Sequence, residues 1–192
     1  RGILNDIRFR NENMPGKKIY MSEWGWDSDG AGEDCTHGEC VSEQEQALYA
    51  IRGAMILARL GVDRMTWFFY ANVNEDSASS LYARCGLTAS VNNNFVKKRA
   101  FTAFETLTNR LGSTHFNQVV QEDEEAYIYL LSNDLGEVTH LVTWRPIEGN
   151  DTSSLDIALP INYAPVSAYA IDGVQLEGQI LTTPSYSNGV MN

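Results

Sequence analysis

The sequence has no run approaching the roughly 20 apolar residues that a membrane-crossing helix needs, so a membrane is not an expected partner. Basic residues are few: 14 lysines and arginines stand against 25 aspartates and glutamates, a net charge of −11. That balance repels nucleic acid and anionic lipid, and it suits a secreted protein handling neutral or weakly charged substrates. Phosphate loops and dinucleotide fingerprints are missing, and no cofactor is expected. Of the three histidines, His37, His115 and His140, none has a triad context, and Ser22 sits in no nucleophile elbow, which disfavours a serine hydrolase. Cysteine is scarce. Cys35 and Cys40 bound the short loop Cys-Thr-His-Gly-Glu-Cys, which suits a local disulfide in an oxidising compartment, secreted or periplasmic. Cys85 is then free, or is the true partner of one of the other two. Cys35, His37, Cys40 and Cys85 match no standard zinc spacing, so no metal site is expected. There is also no initiator methionine and no signal sequence, and Arg1 opens inside a helical pattern (Ile3, Leu4, Ile7, Phe9). The chain reads as a fragment of a larger protein.

What is present is ample for a core: 43% of the residues are hydrophobic and 10% of the chain is aromatic. The first half alternates strand and helix. Ile19 to Met21 has strand composition. Ser42 with Glu45 three residues later forms a capping box, and Leu48, Ile51, Met55 and Ala58 follow at helical spacing until Gly61. Val62 to Tyr70 reads as a strand buried on both faces, as in a parallel sheet. The connection from Ala71 to Asn94 is too long for a bare link and reads as functional. A further helix is expected over about Phe95 to Leu111, stopped by Gly112. Near Ser113 the period shortens: Ala126 to Leu131, Val138 to Trp144, Leu155 to Leu159 and Val166 to Ile171 read as short antiparallel strands separated by turn residues. The expectation is βαβ units over 1–112 and a β-sandwich, complete or not, over 113–192.

The densest chemistry lies in Lys18-Ile19-Tyr20-Met21-Ser22-Glu23-Trp24-Gly25-Trp26-Asp27. An apolar strand ends at a carboxylate set among two indoles and a glycine. A group that attacks an anomeric carbon, with flat apolar faces to stack on a sugar ring, needs those residue types together. In parallel barrels catalytic groups sit at the carboxyl ends of strands, where Glu23 falls.

The segment Pro15-Gly16-Lys17-Lys18-Ile19-Tyr20-Met21-Ser22-Glu23-Trp24-Gly25-Trp26-Asp27 resembles the seventh strand of the clan A glycoside hydrolases. These are the (β/α)8-barrel retaining enzymes that include families 5, 30 and 39. Leu60-Gly61-Val62-Asp63-Arg64 and the aromatic strand after it are similar to the eighth strand. Gly86-Leu87-Thr88 and Lys97-Lys98-Arg99-Ala100-Phe101 resemble the passage into the last barrel helix. The resemblance covers residues 1–112; beyond that it is only architectural.

The fold class it implies is α/β plus all-β: the last βα units of a (β/α)8 TIM barrel, then an antiparallel β-sandwich. It implies a carbohydrate substrate, Glu23 as nucleophile, and an acid/base glutamate on an earlier strand. That strand belongs to an N-terminal barrel portion outside this chain, which becomes a required partner. Asn11-Glu12 and Asn74-Glu75 are set aside for the acid/base role, since neither ends a strand in the right place. Trp26, Trp67, Tyr70 and Asn72 are the candidate substrate contacts: the first three as stacking surfaces, the last as a hydroxyl ligand. The alternative is a non-catalytic carbohydrate-binding or scaffolding protein that keeps a barrel remnant.

Overall fold

The computed structural model describes residues 2–28, 40–75 and 82–146, with short stretches at 157–158, 167–171, 179–181, 186–187 and 190–191. Helix α1 (Ile3–Asn13) comes first and buries none of its residues; Leu4 and Phe9 stay 59% and 58% exposed. Strand β1 (Tyr20–Trp24), helix α2 (Glu43–Arg59) and strand β2 (Arg64–Trp67) then form a strand–helix–strand unit, because β1 and β2 pair in parallel. Tyr20 lies opposite Arg64, Met21 opposite Met65 and Trp24 opposite Trp67, with a register shift between Met21 and Trp24.

The start of α2 is the expected capping box. The Ser42 hydroxyl accepts from the Glu45 amide, and the Glu45 carboxylate accepts from the Ser42 amide. Gly61, with φ of +74°, turns the chain out of the helix.

Strand β2 is shorter and more open than the two-face burial expected of Val62 to Tyr70. Met65 and Trp67 are half-buried, while Arg64 and Thr66 are exposed. The sequence Arg-Met-Thr-Trp puts a polar group at every second position, so only one face can be covered. On the open face the Arg64 guanidinium sits 5.2 Å from the Tyr20 ring.

Helix α3 (Arg99–Leu111) begins four residues later than Phe95. A 3-10 turn spans Val91–Asn93, and Asn94 and Phe95 both adopt a left-handed φ of +53°, which no helix accommodates. Small residues let α2 and α3 pack closely: Ala47, Ala54, Ala100 and Ala103 are all buried, around Ile51, Met55 and Leu107.

After α3, strands β3 (His115–Glu122), β4 (Tyr127–Ser132) and β5 (Val138–Trp144) form an antiparallel sheet with β4 in the middle. The sequence pattern supplied β4 and β5 and missed β3. Register shifts after Phe116 and after Val119 break the period-two alternation of β3, so it carries no strand signature.

Strand β4 is buried on both faces. Tyr129 and Leu131 join the cluster that holds Ile51 and Leu107, while Ile128 packs with Val120 and Leu141. The core therefore runs across residue 112. Strands β6 (Ile157–Ala158), β7 (Ala168–Ala170), β8 (Gln179–Leu181), β9 (Tyr186–Ser187) and β10 (Val190–Met191) add two small antiparallel sheets, β7–β8 and β6–β10–β9. The chain is thus mixed helix and sheet, a parallel pair followed by antiparallel sheets. Among the described residues no helix is long and apolar enough to cross a membrane.

Candidate functional site

The register shift in β1 leaves Ser22 and Glu23 both exposed, while Met21 and Trp24 on either side are half-buried. The Trp24 ring packs edge-on against Phe104 of α3, 6.1 Å between centroids. A Cβ built on Gly53 of α2 would come within 2.5 Å of the Trp24 ring, so helix and indole touch without room for a methyl group. Trp24 marks the helix side of the sheet. Glu23, next to it at the carboxyl end of β1, has no hydrogen bond or ion pair among the described residues.

The aromatic candidates separate by face. Trp67 belongs to the helix side: its ring centroid is 5.2 Å from both Trp24 and Phe104, and its indole N–H donates to the Cys85 carbonyl at 2.8 Å. Trp26 is half-buried against Trp24 (5.7 Å) and Tyr49 of α2 (5.5 Å), so it too lies toward the helices. Tyr70 is different. Its carbonyl is pinned by the amides of Leu87 and Thr88, both at 3.0 Å, while the residue as a whole remains 66% exposed. Of the four candidate substrate contacts, Tyr70 is the one with a largely free surface.

Asn72 is buried and occupied. Its carbonyl oxygen accepts from the Gly86 amide (2.9 Å) and the Lys98 ammonium (3.3 Å), and its amide donates to Glu75 (3.2 Å). It belongs to a polar layer that ties together the loops after β1 and β2. Lys98, only 5% exposed, spends its other two protons on the Ser28 hydroxyl (2.7 Å) and the Arg84 carbonyl (2.9 Å). Burial lowers its pKa to about 8, against the opposing pull of Glu43, Asp27, Cys85 and Glu75. Gln46 of α2 donates to the Trp26 and Arg84 carbonyls and so anchors the same loops to the helix.

Glu75 closes this layer. It accepts from the Ser90 amide and hydroxyl and from the side-chain amides of Asn93 and Asn72. Burial acts to raise its pKa, but these donors outweigh burial and bring it down to about 2. A carboxylate held ionised in this way cannot serve as a general acid near neutral pH. Burial pushes the Cys85 thiol up to about 12, with Asp27 adding to the effect and Lys98 opposing it.

Sequence reading missed Lys98 as the centre of this layer. Lys97 and Lys98 look alike in the chain, yet Lys97 pairs on the surface with Glu105 at 3.0 Å while Lys98 turns inward. No local signal separates the two.

Cys85 is a free, buried thiol. The expected Cys35–Cys40 bridge rests on residue 35, which lies outside the described residues, as does His37. No known protein family matches the chain, and no curated protein matches it either.

Proposed function

We propose that this chain is the C-terminal part of a secreted retaining glycoside hydrolase acting on β-linked polysaccharides or oligosaccharides, with Glu23 as the nucleophile. The observation that supports the reading is the setting of Glu23. It lies at the carboxyl end of a strand of a parallel pair, exposed and with no hydrogen bond or ion pair among the described residues, beside tryptophans that hold the strand against the helices. In such a reaction a Glu23 oxygen attacks the anomeric carbon while an acid protonates the departing glycosidic oxygen. Water then attacks the same carbon, gives its proton to that group acting as base, and releases Glu23.

Retention needs the second carboxyl group about 5–5.5 Å from the first. Glu75 is kept ionised by its four donors, and Glu12 lies on the exposed helix α1. The acid/base is therefore assigned to a strand outside these residues. On this reading β1 and β2 are the last two strands of a (β/α)8 barrel. The open side of the pair (Tyr20, Arg64, Thr66) and the uncovered helix α1 would be closed by the rest of it. Tyr70 is the candidate sugar platform.

The test is covalent labelling. In the protein carrying the whole barrel, a 2-deoxy-2-fluoroglycoside inactivator should be trapped on the peptide that contains Glu23. Labelling of another carboxylate would refute the assignment. Saccharide binding with neither labelling nor turnover would favour the non-catalytic alternative.

A further inference from the structure

A cleft of about 910 Å³ opens between α2 and the antiparallel sheet, and Glu23 is not among the residues that line it. Ligand sites typically measure roughly 300–1,000 Å³, so its size is that of a binding site rather than a packing flaw. Trp26 and Tyr49 line it from the parallel unit, and Tyr127 and Trp144 from the sheet. Each pair is in contact: Trp26 and Tyr49 at 5.5 Å, and Tyr127 and Trp144 stacked at 5.0 Å with planes 18° apart.

Two charged groups on the lining are uncommitted. Arg52, half-buried on α2, makes no hydrogen bond or ion pair among the described residues, and neither does Glu124. A guanidinium withdrawn from water with its donors unmet carries a desolvation cost that a ligand oxygen would relieve. The third charged residue of the lining, Asp123, is spent. Its carboxylate caps the turn before β4 by accepting from the amides of Glu125 (2.8 Å) and Ala126 (3.0 Å).

We infer that this cleft is a second carbohydrate-binding site, built from Arg52, Glu124 and the Trp26–Tyr49 and Tyr127–Trp144 walls, that holds one or a few rings of a neutral saccharide. Flat aromatic faces suit the C–H faces of pyranose rings, and an adjacent donor and acceptor suit their hydroxyls. An apolar ligand would leave Arg52 unmet. A polyanionic one would meet Asp123 and Glu124 beside Arg52 and the net charge of −11. The inference does not require Glu23 to be catalytic.

Titration of the 192-residue chain with neutral gluco-, xylo-, manno- and galacto-oligosaccharides, followed by tryptophan fluorescence and calorimetry, tests it. Saturable binding to at least one series is expected. Arg52→Ala and Trp144→Ala should each weaken it about tenfold or more, while Glu23→Gln leaves it intact. Trp144 also packs on the core, so circular dichroism must show that variant folded; if it is not, Arg52→Ala alone decides. Absence of saturable binding to all four series, or an affinity unchanged in Arg52→Ala, would overturn the site. Preferential binding of a uronic-acid or sulfated oligosaccharide would overturn its neutral character. Binding lost in Glu23→Gln but kept in Arg52→Ala would place the saccharide at β1 instead.

Discussion

In the loop after β2, Glu75 accepts four hydrogen bonds and is surrounded by groups that are themselves satisfied: Asn72, Lys98, Ser28 and the Arg84 carbonyl. At the end of β1, Glu23 has none of this among the described residues. Glu23 lies at the carboxyl end of β1, while Glu75 lies in the loop that follows the parallel neighbour β2. What separates them is commitment. A carboxylate whose oxygens are all engaged is stabilised as an anion and can neither attack nor exchange a proton, whereas a reacting carboxylate must stay available until substrate arrives.

The largest effect should come from Glu23. In the protein with its barrel complete, Glu23→Gln is expected to lower turnover on the order of 10³-fold or more, because the attacking oxygen is lost while shape is kept. Its free energy of urea unfolding should stay within about 0.5 kcal/mol of the parent, as befits an exposed residue with no hydrogen bond or ion pair among the described residues. A rate that survives the change would move the nucleophile elsewhere. A large loss of stability would erase the contrast with Glu75.

Next comes Gly86, which lets two loop backbones meet. A Cβ there would stand 2.1 Å from the Asn72 nitrogen and 2.3 Å from the Ala71 carbonyl carbon. Those are backbone atoms and cannot swing aside. Gly86→Ala should cost about 3 kcal/mol in denaturant unfolding. A neutral result would mean that the polar layer is loose and that Asn72 is not held where it is described.

Glu75→Gln is expected to cost about 1.5–3 kcal/mol at pH 7, the range for hydrogen bonds to a charged group. The cost should depend on pH. The folded carboxyl titrates near 2 and the unfolded one near its ordinary 4.5, so the stabilisation is complete above about pH 4.5 and disappears as pH falls toward 2. Unfolding curves at pH 7, 4 and 3 should show the parent converging on the variant. Parallel curves would mean that Glu75 is not the held anion described above.

How much of this could be read from the chain varies with the range of the interactions. The capping box of α2 and the stop at Gly61 depend on residues within one turn of each other, and both formed as the sequence indicated. The position of Glu23 at a strand end was legible because the apolar run and the carboxylate are adjacent. The partners of Trp67 and Asn72 were not: Trp67 bonds a carbonyl 18 residues away and Asn72 an amide 14 residues away, contacts that no local pattern announces. Strand β3 was hidden for a related reason, since its bulges are fixed by pairing with β4 and leave no alternation in the chain.

The smallest effect expected is at Cys85, which sits between the two glutamates' surroundings through its carbonyl on Trp67 and its thiol near Lys98. Removing one buried sulfur in Cys85→Ala should cost about 1 kcal/mol at pH 8. The folded thiol holds its proton to about pH 12, while the unfolded chain releases it near the ordinary value of 9. Between those pH values the native state binds more protons, so the parent loses stability as pH rises. Lys98 works the other way. Its folded pKa near 8 lies below the ordinary 10.5, so the unfolded chain binds more protons over that window and stability rises with pH. Subtracting the Cys85→Ala curve from the parent curve cancels most of the Lys98 contribution and leaves the thiol. The difference should favour the parent at pH 8, then shrink and change sign above pH 9. A difference that stays constant from pH 8 to 10.5 would show that Cys85 does not share the polar layer that holds Glu75, and that the contrast with Glu23 stops short of it.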